Sequence, residues 1–214
     1  MKRFAFTLLE LVFVIIVIGI LAVLAMPNFR GNPLQTAAEQ VASHIRYTQH
    51  LAMIDDKFDP NDSLWFRENW QIEFKSATNV FYEIYSDIDH LGNSDSTTHK
   101  EEATDPLTGD SLDGNSDITD LKKRFGITSI SFSSNCSGRN NNTGGNPTGG
   151  TGKELSFDSI GRPYFYITSA TPIVSNIYAY LLTSDCNITL VHQTDGNATI
   201  TIHPETGYVS VAYP

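Results

Sequence analysis

Hydrophobic and polar positions divide the chain into three regimes. Leu11 to Met26 is an unbroken run of sixteen residues without a charged or hydrogen-bonding side chain, and the apolar stretch from Phe6 to Met26 counts twenty-one. As a helix that stretch would run about 31 Å, close to the hydrocarbon thickness of a bilayer, so the pattern predicts a membrane-spanning helix over 6–27. A secretory signal peptide is the rival reading, with Lys2 and Arg3 as its basic start and Ala22 and Ala25 as small residues before a cut.

The second regime, 28–56, has helical period. Leu34, Ala38, Val41, Ile45, Thr48 and Ala52 recur at alternating spacings of four and three, with Gln35, Glu39, Gln40, Ser43, Arg46 and Gln49 elsewhere round the wheel. This predicts an amphipathic helix packed on a sheet. Gly31-Asn32-Pro33 places a bend or break at 31–33, because a residue before proline avoids helical dihedrals.

From 57 to the end the period falls to two. "WQIEF" (70–74), "NVFYEIYS" (79–86), "ITSISFS" (127–133), "KELSFD" (153–158), "PYFYIT" (163–168), "NITLVHQ" (187–193), "NATITIH" (197–203) and "YVSVAY" (208–213) each read as a strand. Gly161-Arg162-Pro163, Asp195-Gly196 and Glu205-Thr206-Gly207 read as turns, and Gly161 and Gly207 stand where a tight turn asks for positive φ. The expected fold class is therefore α+β. A long N-terminal helix, membrane-spanning in its first half and amphipathic in its second, packs on a C-terminal antiparallel β-sheet domain, with a Gly/Asn-rich loop at 137–152.

Charge changes the picture in two places. The formal net charge is −10, and residues 83–120 hold eleven Asp and Glu against one basic residue, Lys100, so the acidic excess of the whole chain sits in this stretch. The segment 87–126 reads as an acidic insertion. Outside the first residues the one run of basic side chains is Lys122-Lys123-Arg124, too short to neutralise a tract of phosphates, which argues against nucleic acid as a main ligand. The second place is Glu10, a carboxylate near the start of the apolar run. There it costs on the order of 3 kcal/mol on membrane-insertion scales, a cost that asks for a partner.

Candidate chemistry is sparse. His44 and His50 lack the i, i+4 spacing of a helical metal pair, no serine stands in a nucleophile-elbow pattern, and no phosphate-binding glycine loop is present, so the sequence does not read as an enzyme. Asp105, Asp110, Asp113, Asp117 and Asp120 crowd one stretch that either stays solvated or supplies oxygens to calcium, although the EF-hand spacing is missing. No other cofactor is implied. Cys136 and Cys186 read as a disulfide if the domain is delivered to an oxidising compartment, and as two free thiols otherwise.

The N-terminus resembles the type IV pilins and the pseudopilins of type II secretion systems. "KRFA" fills their short basic leader, "FTLLE" the start of the mature chain, and "LVFVIIVIGILAVLAMP" the helix, with Pro27 where many members carry a kinking proline. "LSFDSIGRPYF" and "ATITIHPETGYVSV" are similar to the paired strand motifs of the GspH/FimT group of minor subunits. The resemblance implies a leader, 1–5, that prepilin peptidase removes between Ala5 and Phe6, with N-methylation of Phe6. It departs from the family at Ala5, where glycine is usual. It also implies that Glu10 pairs with the new amino group of Phe6 in a filament of parallel helices, fixing register.

The implied function is that of a minor pseudopilin in a type II secretion pseudopilus, held in the bacterial inner membrane by a single pass with its globular domain in the periplasm. Its partners would be other pseudopilins or pilins, prepilin peptidase and the inner-membrane assembly platform. A minor pilin of a type IV pilus and a singly anchored periplasmic binding protein are the alternatives.

Overall fold

The computed structural model describes residues 7–25, 31–88, 90, 101–136, 153–165 and 177–214. The chain divides into two units, Met1–Asn32 and Pro33–Pro214.

In the first unit, helix α1 spans Leu8–Ala25, 18 residues. At a rise of 1.5 Å per residue that is about 27 Å, against about 31 Å for the expected span. Among the described residues no helix is long and apolar enough to cross a membrane. The expected membrane-spanning helix over 6–27, and the single-pass inner-membrane location built on it, are therefore corrected. The apolar run was counted from Phe6 to Met26, but the described helix begins two residues later, where Thr7 caps it, and ends at Ala25.

The second unit begins with helix α2, Pro33–Ile54. Proline suits a first helical position, where its missing N–H would have had no partner and its φ is already helical. The six stripe residues Leu34, Ala38, Val41, Ile45, Thr48 and Ala52 are all buried, joined by Ala37, Ala42 and His44. Four alanines on this face, Ala37, Ala38, Ala42 and Ala52, let the helix lie close to the strands beneath it.

The single expected sheet is also corrected, because the strands divide into two four-stranded antiparallel sheets. The first holds β1 (Gln71–Ser76), β2 (Val80–Tyr85), β4 (Lys153–Phe157) and β5 (Pro163–Phe165) in the order β2-β1-β4-β5. The second holds β3 (Ile127–Phe132), β6 (Cys186–His192), β7 (Gly196–Ile202) and β8 (Val209–Ala212) in the order β3-β6-β7-β8. Alternation along each strand reports which face is apolar but not which strands share a sheet, so sequence pattern alone left the division open. Helix α2 packs on strands of both sheets. Ile72, Phe74, Tyr82, Ile84, Leu155 and Phe157 meet Ile188, Leu190, Ile200 and Ile202 in one core with it.

The acidic stretch folds onto this body. Ala103 N donates to Ile84 O at 2.8 Å and Ser86 N to Glu101 O at 3.0 Å, so residues 101–103 run along β2. The chain then doubles back, with Asp105 N donating to Asp110 O and Leu112 N to Ala103 O, both at 2.8 Å. Leu112, Leu121 and Phe125 supply the buried apolar surface that holds the segment down. A short helix, α3 (Leu121–Phe125), follows, capped by the Asp120 carboxylate and closed by Gly126 at φ 71°.

Candidate functional site

Two regions were singled out by sequence, the N-terminal helix and the acidic stretch. On α1, Thr7 is the N-cap: its Oγ1 accepts from Glu10 N at 3.3 Å, and its carbonyl accepts from Glu10 N and Leu11 N. Thr-Leu-Leu-Glu is thus also the Thr-x-x-Glu pattern of a capping box, in which an N3 glutamate supports the first turn. The charge also complements the positive end of the helix dipole. The Thr7 cap was legible in the spacing of "TLLE" and was missed. Around it the helix surface is apolar and exposed on every side, with Leu8 81 %, Phe13 67 % and Leu21 59 % exposed. Ala5, Phe6 and Pro27 lie outside the described residues.

The five aspartates of the acidic stretch are each engaged locally. Asp105 is buried, and its Oδ1 accepts from Leu107 N at 2.7 Å. Asp110 supplies the backbone carbonyl that pairs with Asp105 N. Asp113 Oδ1 accepts from Asn115 N at 2.9 Å, Asp117 pairs with Lys123 Nζ at 2.7 Å, and Asp120 caps α3 through Lys123 N at 2.8 Å. The fold does not gather them around one point. Among the described residues, the one group of three metal-ligating side chains is elsewhere, at Asp62, Glu68 and His90.

Cys136 and Cys186 are disulfide-bonded, with Cα atoms 5.4 Å apart. The bond joins the chain just beyond β3 to the first residue of β6, its sheet neighbour.

The "FDSIGRP" motif has a structural explanation. Asp158 follows β4 and organises the turn: its Oδ1 accepts from Arg162 N at 2.8 Å, and its Oδ2 accepts from Arg162 Nε at 2.7 Å and Tyr164 OH at 3.1 Å. The Asp158 carboxylate raises the Arg162 pKa, through its hydrogen bond before its charge. Burial beside this carboxylate pushes the Tyr164 hydroxyl well up. Asp158 and Arg162 border a cavity of about 270 Å³ with Phe58, Trp65 and Tyr178 on its walls. Aromatic walls and one ion pair form a recess suited to a small polar–apolar group.

No family model, curated protein or solved structure matches the chain. The likeness to pilins and pseudopilins accordingly rests on the quoted residues.

Proposed function

We propose that this chain is a minor subunit of a type II secretion pseudopilus, joined to its neighbours through α1. The observation that carries the reading is the exposure of large apolar side chains on every side of α1 around one first-turn carboxylate, Glu10. Fully burying a Val, Leu, Ile or Phe side chain contributes roughly 1.5–3 kcal/mol, so a helix bearing more than ten of them gains greatly from a sheath of like helices. Removal of residues 1–5 by prepilin peptidase would create an amino group at Phe6, one turn before Glu10. In an apolar filament core the pair would set register more than it would add stability, because desolvation offsets much of its attraction.

The Thr7 cap supplies the discriminating variant. Glu10→Gln retains the hydrogen-bonding side chain of a capping box but removes the charge, whereas Glu10→Ala removes both. If Glu10 pairs with the Phe6 amine, both variants are lost from sheared pseudopili while accumulating normally in cells. Incorporation of Glu10→Gln at the wild-type level would reduce Glu10 to a helix cap and end the pairing. Loss of type II secretion with piliation intact on deletion supports the pseudopilus, and the reverse result transfers the subunit to a type IV pilus.

A further inference from the structure

Three ligand-type side chains from separate stretches converge beyond the end of β2. Asp62 belongs to the turn preceding a 3-10 turn, Trp65–Glu68; Glu68 closes that turn; and His90 follows β2. His90 Nε2 lies 3.5 Å from Asp62 Oδ2 and 3.2 Å from Glu68 Oε1, and one ligand atom from each residue falls within 4.8 Å of the other two.

A hydrogen bond accounts for only part of this spacing: Nε2 carries one proton or one lone pair, so its bond to Glu68 Oε1 leaves the Asp62 carboxylate, 3.5 Å away, unserved. A metal ion accounts for it well. Ligands about 2.0–2.2 Å from a tetrahedral zinc stand roughly 3.3–3.6 Å from one another, which brackets the longer contact and nearly meets the shorter. Two carboxylates also balance the charge of a divalent cation.

The surroundings hold the ligands in place. Asp62 Oδ1 accepts from Leu64 N at 2.8 Å, which leaves Oδ2 facing His90. The Glu68 carbonyl accepts from Ser86 Oγ at 2.6 Å, and Ser86 is itself buried. His90 takes φ 62°, a backbone region that few residues other than glycine adopt. The ligand side chains are 20–32 % exposed, so an ion can enter from solvent and retain a water as its fourth ligand.

We propose that Asp62, Glu68 and His90 form a zinc site that ties the 59–68 segment to the chain leaving β2. The imidazole is what selects the metal: calcium and magnesium take oxygen ligands, whereas an imidazole with carboxylates suits zinc. The inference is independent of the filament reading.

The test loads the full-length chain with zinc, removes loosely held metal by dialysis, and measures bound zinc by mass spectrometry alongside competition with a chromophoric chelator. One zinc per wild-type chain is expected, with His90→Ala and Glu68→Gln releasing it and Asp113→Ala and His50→Ala retaining it. Cobalt in place of zinc should give the visible bands of a tetrahedral site in the wild type and not in His90→Ala. Circular dichroism confirms the fold of each variant, and if His90→Ala does not fold, the nearly isosteric Glu68→Gln decides. Equal zinc in wild type, His90→Ala and Glu68→Gln, no zinc retained by the wild type, or displacement of zinc by equimolar calcium would each overturn the site.

Discussion

Gln49 Nε2, on the rim of α2, donates to the carbonyl oxygen of Gly161 at 2.8 Å. The same amide nitrogen donates to Thr206 O at 2.9 Å, so one side chain fastens the helix to a turn of each sheet. Gly161 and Gly207 both take positive φ, 83° and 62°. That conformation aims their turns at Gln49.

This geometry orders two substitutions. Gln49→Ala strands the part-buried Gly161 carbonyl, while the exposed Thr206 carbonyl passes to water, and should cost about 1–2 kcal/mol in chemical denaturation. Gly207→Ala should cost more, because a Cβ there would stand 2.5 Å from Gln49 Nε2 and 2.7 Å from the Gly161 carbonyl oxygen, and φ is unfavourable as well. Denaturation midpoints in the reverse order would show that the turn relaxes and that the amide is the main tie.

The disulfide gives a second prediction. Cys136 and Cys186 are 50 positions apart, and on the loop-entropy model a cross-link of that span stabilises by roughly 4 kcal/mol. Cys136→Ala/Cys186→Ala should lower the unfolding free energy by about that amount, and a reductant should lower the wild type to the same level. Because the bond joins neighbouring strands, an effect below about 1 kcal/mol would mean that β3–β6 pairing already persists in the unfolded chain.

Much of the fold was legible from periodicity. The α2 stripe of Leu34, Val41 and Ile45 and the alternation of residues such as Ile72 and Phe74 depend on a buried face, and burial writes a local pattern. The grouping of β3 with β6, and of β1 with β4, depends on contacts between residues far apart in sequence and leaves no such mark. The acidic stretch was misjudged for a related reason. Its carboxylates drew attention, while Leu112, Leu121 and Phe125, too widely spaced to form a stripe, anchor it. The Asp62, Glu68 and His90 group spans 28 positions without a regular spacing, so no motif announced it.

One side chain should be better replaced. Gln71 on β1 is fully buried between Tyr85 and Ser156 on the adjoining strands, and neither end of its amide, nor the Ser156 hydroxyl, has a hydrogen-bond partner in the protein. A buried amide without partners costs about 1–3 kcal/mol, so Gln71→Met, which keeps the length, should raise the unfolding free energy by about 1–2 kcal/mol. A loss of stability instead would reveal an internal water bonded to this amide.

The last prediction concerns pH. Glu73 on β1 lies in register with Glu83 on β2 and Glu154 on β4, so three carboxyl groups cross three strands side by side. Lys75 Nζ lies 3.0 Å from Glu83 Oε1 and 3.4 Å from Glu73 Oε2. Burial pushes the Glu73 carboxyl up to about 7; the Lys75 charge opposes the rise, and Glu154 and Glu83 add to it. A raised acid pKa means that the folded chain keeps a proton that the unfolded chain has released. The associated stability is present below about pH 4.5 and is lost as pH rises to about 7, a change on the order of 3 kcal/mol. His44 works in the opposite sense, since burial lowers its pKa from 6.5 and protonation destabilises the fold as pH falls. Comparison with Glu73→Gln separates the two. The unfolding free energy of the wild type relative to Glu73→Gln should fall between pH 5 and pH 8, with the variant the more stable at pH 8. Parallel profiles for the two proteins would show that Glu73 is ionised in the fold and that Lys75 outweighs burial.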